Sequence, residues 1–525
     1  MNDHGLGFML TRRAASTPDR TALIFRDESW TFGELNRLTN RVAHGLHAGG
    51  VNPGDRVGFI GLNHPRFLFT LFGAAKLGAV FVPLNFRLSG PELAFIIGDA
   101  GLQTLVYEDN FGSIVDEIRD QIDVRQFICS EEREGARSFD ELTHDQRETN
   151  LDYPVGDDDV AWIMYTSGTT GRPKGAMITH GNVKWNNFNS SLAVDSLVDD
   201  RTLAVAPLFH IGGLNATPIA TLTIGGAVVI EQIFEPGMVL ELIERHRITT
   251  MFGVPAMFMF MAQHPDFATR DLSSVRIFVV GGAPVPEQLL RSYADRGIPF
   301  LQGYGLTETG PQACLLPPHM AEAKLGSAGI QPFFTDTKVV DENGNDVPDG
   351  ERGEIVVRGP NVMKGYWNRP DATAEVLEDG WFHTGDIGKR DDDGYFYILD
   401  RKKDMIISGG ENIYPAEVED VLFQHPAVQD VAVIGVQHPR WGESVRAVIV
   451  VKDGETVTEQ EIVDFTEGRL ARYKQPRSVV FADWLPRNPT GKVVKFELRE
   501  RFGEPMTDAD EVKPSGAGAP ARQES

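Results

Sequence analysis

Tyr165 to Gly175 reads YTSGTTGRPKG and follows directly on the apolar run Val160-Ala161-Trp162-Ile163-Met164. A strand opening into glycines, hydroxyls and one lysine predicts a phosphate-binding loop. Gly168, Gly171 and Gly175 let backbone N–H groups turn toward an anion, Thr166, Ser167, Thr169 and Thr170 add hydroxyl donors, and Lys174 adds a point charge. The spacing is not the common nucleotide loop G-x-x-x-x-G-K-[ST], because Pro173 precedes Lys174 and Gly175 follows it. A short run of this composition would read as a solvated surface loop; its length and specificity reverse that preference.

Downstream, the same design recurs. Apolar strands are expected at Leu203–Pro207, Thr249–Gly253, Arg276–Val280 and Phe300–Gln302. They open respectively into Leu208-Phe209-His210, Val254-Pro255, Gly281-Gly282-Ala283-Pro284 and Gly303-Tyr304-Gly305-Leu306-Thr307-Glu308. Ligands of open α/β sheets bind beyond the carboxyl ends of the strands, so one cleft could collect all of these loops. Upstream, residues 20 to 110 alternate between helix and strand, with helical periodicity over Thr31–Ala48 behind a Thr31 cap and a strand at Arg56–Ile60. Phe67–Val82 reads as a buried helix and a strand ending at Pro83, too short to span a bilayer. The polar stretch 130 to 158 is expected to be a surface connection.

The texture changes near residue 325 to short strands separated by the turn signals Asn343-Gly344, Asp349-Gly350 and Asp393-Gly394, which suggests a β-rich subdomain. Asp400-Arg401-Lys402-Lys403-Asp404 interrupts it. Beyond, helix-like Pro415–Phe423 and strand-like Val431–Val436 and Val445–Val451 are enough for a separate domain. The expected division is 1–402, 403–505 and a disordered tail 506–525.

At 525 residues the chain exceeds what one core usually serves. Its formal charge of −25 opposes general binding to nucleic acid or anionic membranes. Any polyanionic ligand must then find a local basic patch. Cys129 and Cys314 lack metal-type spacing and imply no disulfide framework. With no signal-peptide core at the N-terminus, a cytoplasmic protein is expected.

From about Leu10 to Phe502 the chain resembles the adenylate-forming superfamily, in its acyl-CoA synthetase branch, with several motifs in the family's order. The resemblance implies an α/β fold: a large N-terminal domain of Rossmann-like subdomains plus a β-rich subdomain, and a smaller mobile α+β C-terminal domain. It implies that a carboxylic acid and ATP give acyl-AMP and pyrophosphate, after which CoA displaces AMP. Thr166, Ser167, Gly168, Thr169, Thr170 and Lys174 would bind nucleotide phosphates, with Gly282, Ala283 and Tyr304 at the base. An Asp386–Arg401 pair would take the ribose. Thr307 and Glu308 would serve the α-phosphate and Mg²⁺, which usually takes one or two carboxylates plus phosphate oxygens.

His210 would be a gate at the bound carboxylate, and an aspartate expected in amino-acid-activating relatives is absent there. Gly212, Gly213 and Gly281 would line the acyl pocket. The two glycines after His210 predict a tunnel favouring medium or long aliphatic acids, with an aryl acid as the alternative. Lys492, in Asn488-Pro489-Thr490-Gly491-Lys492, would supply the cation for adenylation; Lys403 would be the hinge; Gly409 and Gly410 would line the thiol tunnel. Arg472 and Lys474, in the acid-free run GRLARYKQPR, would meet the CoA phosphates. Two rivals remain: a ligase loading a carrier protein, and a nucleotide-binding regulator that has lost catalysis, although the latter should have shed Lys492 or Glu308. A homodimer is compatible with the sequence.

Overall fold

Val80–Leu84 is buried along its whole length, and so is Ala227–Ile230, as strands of a parallel sheet covered on both faces must be. Each belongs to one of two eight-stranded sheets in the computed structural model, which describes residues 5–151, 153–166, 173–283, 285–401, 404–408, 411–487, 493–507 and 509–512. The chain divides into two units. One comprises Met1–Lys338, Val356–Thr384 and Asp392–Phe396; the other comprises Val339–Ile355, Gly385–Asp391 and Tyr397–Ser525.

In the first unit, one sheet orders its strands as Cys314–Leu316, Phe300–Tyr304, Ile277–Gly281, Thr250–Gly253, Arg201–Ala204, Ala227–Ile230, Thr21–Phe25 and Glu28–Thr31. All neighbouring pairs from Phe300–Tyr304 to Thr21–Phe25 are parallel. The four strands expected to end in unusual loops are thus consecutive neighbours, and their carboxyl ends share one edge. Phe258, Phe278, Tyr293 and Phe300 pack beneath this sheet with ring centroids 4.9–5.9 Å apart, and the Tyr293 hydroxyl donates to the Phe258 carbonyl at 2.8 Å. Burying each such ring contributes about 1.5–3 kcal/mol.

The other sheet runs Gly365–Tyr366, Lys174–Thr179, Val160–Thr166, Val80–Leu84, Arg56–Ile60, Thr104–Tyr107, Gln126–Cys129 and Arg137–Ser138. Its helix Phe32–Ala48 begins as the sequence indicates: Thr31 and Glu34 form a reciprocal capping box, the Thr31 hydroxyl accepting the Glu34 N–H and the Glu34 carboxylate accepting the Thr31 N–H. Thr179 and Asn182 do the same for His180–Ala193. The stretch 130–158 is more than a surface connection. It holds the strand Arg137–Ser138 and the helix Phe139–Thr143, whose Phe139 and Leu142 enter the core.

Residues 336–401 carry the short strands expected there: Asp336–Val340, Arg352–Arg358, Leu377–Glu378, Trp381–Arg390 and Phe396–Arg401. In the second unit, the long antiparallel pair Val428–His438 and Gly442–Val451 is flanked by Ile406–Ser408 and the parallel strand Ser478–Phe481, with Pro415–Phe423 packed against the sheet. The expected disordered tail is corrected over its first residues. Met506 is 1% exposed and its N–H donates to the Gln437 carbonyl. The Glu511 carboxylate accepts from Arg477 at 2.8 Å and from the Trp441 indole at 3.2 Å. An apolar side chain and a carboxylate that find these partners outweigh a composition poor in core formers.

Cys129 and Cys314 are free and buried. Among the described residues no helix is long and apolar enough to cross a membrane.

Candidate active site

The antiparallel pairing of Val160–Thr166 with Lys174–Thr179 sets Thr166 opposite Lys174 and Tyr165 opposite Gly175. Two polar residues at the ends of the quoted run are therefore set opposite one another by its flanking strands, and the Thr166 hydroxyl donates to the Lys174 carbonyl at 3.4 Å. Ser167, Gly168, Thr169 and Thr170 lie outside the described residues, as do Lys403, Gly409, Gly410 and Lys492. Gly175 is needed for close packing: a Cβ there would stand 2.5 Å from the Ile163 side chain, while the Gly175 carbonyl accepts the Trp367 N–H at 2.8 Å.

That last bond belongs to an element missed by sequence reading. Gly365–Tyr366 adds to the outer edge of Lys174–Thr179. It places the Tyr366 ring 5.3 Å from the Lys174 ammonium and lets the Tyr366 hydroxyl donate to Glu308 Oε1 at 2.8 Å. Thr166 Oγ1 lies 3.5 Å from the same oxygen. Tyr366 thus ties the strand Lys174–Thr179 to the Thr307–Thr309 turn. The available signal was the aromatic pair in Gly365-Tyr366-Trp367, too short a run to stand out as a strand.

Glu308 is 7% exposed, and the backbone around it is held from several sides. The Glu308 carbonyl accepts the Met363 N–H at 2.8 Å, and the Asn361 amide donates to the carbonyls of Thr309 and Gln312 at 2.6 and 2.8 Å. Gly305 can be no other residue, since a Cβ would fall 1.6 Å from the Pro311 carbonyl oxygen. The donor set fits Mg²⁺: a single buried carboxylate accepts hydroxyls on one oxygen, its other oxygen has no partner among the described residues, and a magnesium ion held there would complete its shell with phosphate oxygens and water.

On the neighbouring strand ends, Gly281 approaches the Gly303 carbonyl, which a Cβ would meet at 2.8 Å. Gly282 takes φ +85°, a conformation that glycine adopts without penalty. Ala283 is exposed beside it, and Tyr304 and Thr307 are half-buried. His210 precedes the helix Ile211–Asn215 and is packed on Phe209 at 4.3 Å between ring centroids. Burial, assisted by Arg87, pushes its pKa down to about 4, so the imidazole is neutral at physiological pH. Its buried Nε2 has no hydrogen-bond partner among the described residues. Such a ring is a poor base but a ready partner for an oxygen entering the site.

The glycines after His210 are closely packed. A Cβ on Gly213 would lie 2.1 Å from the Pro207 carbonyl oxygen, so its missing side chain is taken up by backbone packing and not by a pocket. A Cβ on Gly212 would lie 2.6 Å from the Phe252 ring, and one on Gly281 would lie 3.6 Å from that ring. Phe252, at the end of Thr250–Gly253, therefore stands between the two glycines assigned to the acyl pocket. No spacing rule in the sequence marks it.

Within the second unit, Arg401 Nε donates to Asp386 Oδ1 at 2.6 Å, and the Asp386 side chain is 5% exposed. The two residues expected to handle ribose are thus a preformed pair. The expected CoA cations fare differently. Lys474 is 8% exposed and its ammonium pairs with Glu417 at 2.5 Å, so the run without acids in sequence has one in space. Arg477 pairs with Glu511, and Arg469 lies over Phe465. Arg472 is exposed and makes no ion pair among the described residues.

Residues 10–367 match the family described as AMP-binding enzyme, and residues 417–492 match the AMP-binding enzyme C-terminal domain. A feruloyl-CoA synthase from Amycolatopsis sp is 49% identical over 504 residues, covering 96% of this chain and 100% of the relative. The long-chain-fatty-acid–CoA ligase FadD13 of Mycobacterium tuberculosis is 43% identical, covering 95% of this chain and 98% of the relative. Among solved structures, the o-succinylbenzoate CoA synthetase of Bacillus subtilis with its acyl-adenylate intermediate superposes with a TM-score of 0.85 at 37% identity, covering 94% of this chain and 97% of that one. Matches over nearly the full length, on a chain whose strand ends gather the loops described above, place it in the AMP-binding enzyme family: it belongs to the acyl-CoA synthetase branch of the adenylate-forming superfamily and is an AMP-forming acid–thiol ligase.

Proposed function

We propose that the protein activates an aryl or arylpropenoic acid with ATP and transfers the acyl group to CoA. In the first step a carboxylate oxygen attacks the α-phosphorus of ATP, and the bond to pyrophosphate breaks. In the second, the CoA thiolate attacks the acyl carbon and AMP leaves. Thr166 and Lys174 meet the phosphates, Glu308 would hold Mg²⁺, which neutralises phosphate charge when bound, and the neutral His210 ring receives the carboxylate by hydrogen bonding. Asp386 and Arg401 take the ribose.

The observation that carries the choice of acid is Phe252. Its ring lies against both Gly212 and Gly281, where a Cβ would stand 2.6 and 3.6 Å from it, and Gly212 is two residues beyond His210, so an aromatic surface is available on this side of the acid site. Such a surface suits an offset or edge contact with a planar ring. The relative named feruloyl-CoA synthase supports the same reading. Medium and long aliphatic acids, expected from the glycines alone, are the second reading, favoured by the relative named for long-chain fatty acids.

A panel of ferulic, coumaric, benzoic, octanoic and palmitic acids, followed by AMP and thioester formation, separates the two. The aromatic acids should give the highest kcat/KM. Phe252→Ala should lower it for them by about tenfold, the scale of a lost aromatic contact, and improve the longer aliphatic acids. Palmitic acid as the best substrate of the unaltered enzyme would overturn the aryl reading. Thioester formation with free CoA, rather than only with a carrier protein, tests the acceptor.

On the CoA side, Arg472→Ala should raise KM for CoA and leave acyl-AMP formation intact, with added salt acting in parallel on the wild type. Lys474→Ala should instead lower the melting temperature modestly, because it removes the packed lysine side chain and its ion pair with the partly exposed Glu417. A wild-type CoA dependence for Arg472→Ala would return that residue to ordinary surface charge.

A further inference from the structure

After the strand Arg201–Ala204 the chain runs through Val205-Ala206-Pro207-Leu208-Phe209 to His210. Pro207 has no N–H and cannot sustain a ladder, so the backbone groups around it need partners from elsewhere. One buried side chain supplies them. Asn63, 3% exposed, donates through Nδ2 to the Ala206 carbonyl at 3.0 Å and to the Ala204 carbonyl at 3.4 Å, while its Oδ1 accepts the Leu208 N–H at 2.9 Å. A primary amide offers donor and acceptor together, as a peptide group does, and Asn63 uses both on the two sides of Pro207.

Asn63 lies just beyond Arg56–Ile60, a strand of the other eight-stranded sheet. Its bonds therefore fix the approach to His210 against the sheet that carries the phosphate-loop strand Val160–Thr166. The far side of His210 is held separately. Asn215, at 0% exposure, closes the helix Ile211–Asn215 and donates to the Gly310 carbonyl at 2.7 Å, next to the Glu308 turn. His210 is thus suspended between two buried asparagines, and its ring has no tether of its own at Nε2 among the described residues.

We propose that Asn63 is a positioning residue for the substrate carboxylate, acting through His210 by fixing residues 204–208. This rests on the reading of His210 as the group that meets the acid. The test is a double-mutant cycle on the adenylation half-reaction, with pyrophosphate release measured against both acid and ATP for the full-length enzyme.

Asn63→Ala should lower kcat/KM for the acid by about tenfold to a hundredfold, the scale of a misplaced reacting group, while KM for ATP stays within about twofold. In a His210→Ala background the same substitution should add less than about twofold, because its effect runs through the ring already removed. Asn63→Ser keeps a small neutral group that can donate or accept but cannot span both sides of Pro207; its loss should fall between wild type and Asn63→Ala, and it carries the cycle if the alanine variant fails to fold. Multiplying losses in the double variant, or a parallel weakening of acid and ATP, would show a purely structural tie and overturn the proposal. Wild-type acid kinetics for His210→Ala alone would remove the reading of His210 itself, and the proposal with it.

Discussion

Glu308→Gln lowers acid-dependent pyrophosphate release by about a hundredfold or more, the usual scale for losing a preorganised electrostatic group. The substitution keeps the volume of a side chain that is 7% exposed, and the amide oxygen can still accept from the Tyr366 hydroxyl. What it removes is the negative charge. The loss should therefore appear as a raised requirement for Mg²⁺, read by titrating the metal at saturating ATP, with an unchanged melting temperature. Tyr366→Phe should cost less, about tenfold, since it deletes one hydrogen bond to a charged group and leaves the carboxylate in place. A Glu308→Gln enzyme with wild-type rate and wild-type Mg²⁺ dependence would exclude Glu308 from the metal site.

Lys492→Ala should abolish acyl-AMP formation by about a hundredfold or more, because an anionic carboxylate cannot approach an anionic α-phosphate without a fixed cation to offset the repulsion. The variant should still convert supplied acyl-AMP and CoA to thioester, a step that needs no such cation. Gly409→Leu should show the opposite pattern, adenylating normally and failing at thioester formation. Both residues lie outside the described part of the structure, so these expectations rest on the sequence. Equal damage to both half-reactions by Lys492→Ala would show that one arrangement of groups serves both steps.

Much of the fold around this site is legible in the sequence. The strand-then-loop pattern repeats at His210, Gly281 and Tyr304, and parallel sheets put such loops on a common edge by construction. The helix start at Thr31 was equally plain, since Thr31 with Glu34 is a local capping pair that depends on a neighbour only three residues away. Boundaries moved by a few residues. The expected strand Leu203–Pro207 is Arg201–Ala204, because Pro207 and its neighbours leave the ladder for Asn63.

Sequence by itself determined the family and the strands that precede the Tyr165–Gly175 run and the Glu308 turn, because each of these is written in residues close together along the chain. Tertiary structure decided what distant residues do to one another. Tyr366 reaches Glu308 across 58 positions, Asn63 reaches Leu208 across 145, and Lys474 meets Glu417 across 57. The basic run around Lys474 looked free of acids because charge balance was sought along the chain, whereas a buried ammonium is neutralised in space. Gly212 and Gly213 looked like open room for the same reason: a missing side chain marks a cavity only if nothing else has moved into it, and here Phe252 and the Pro207 carbonyl have done so.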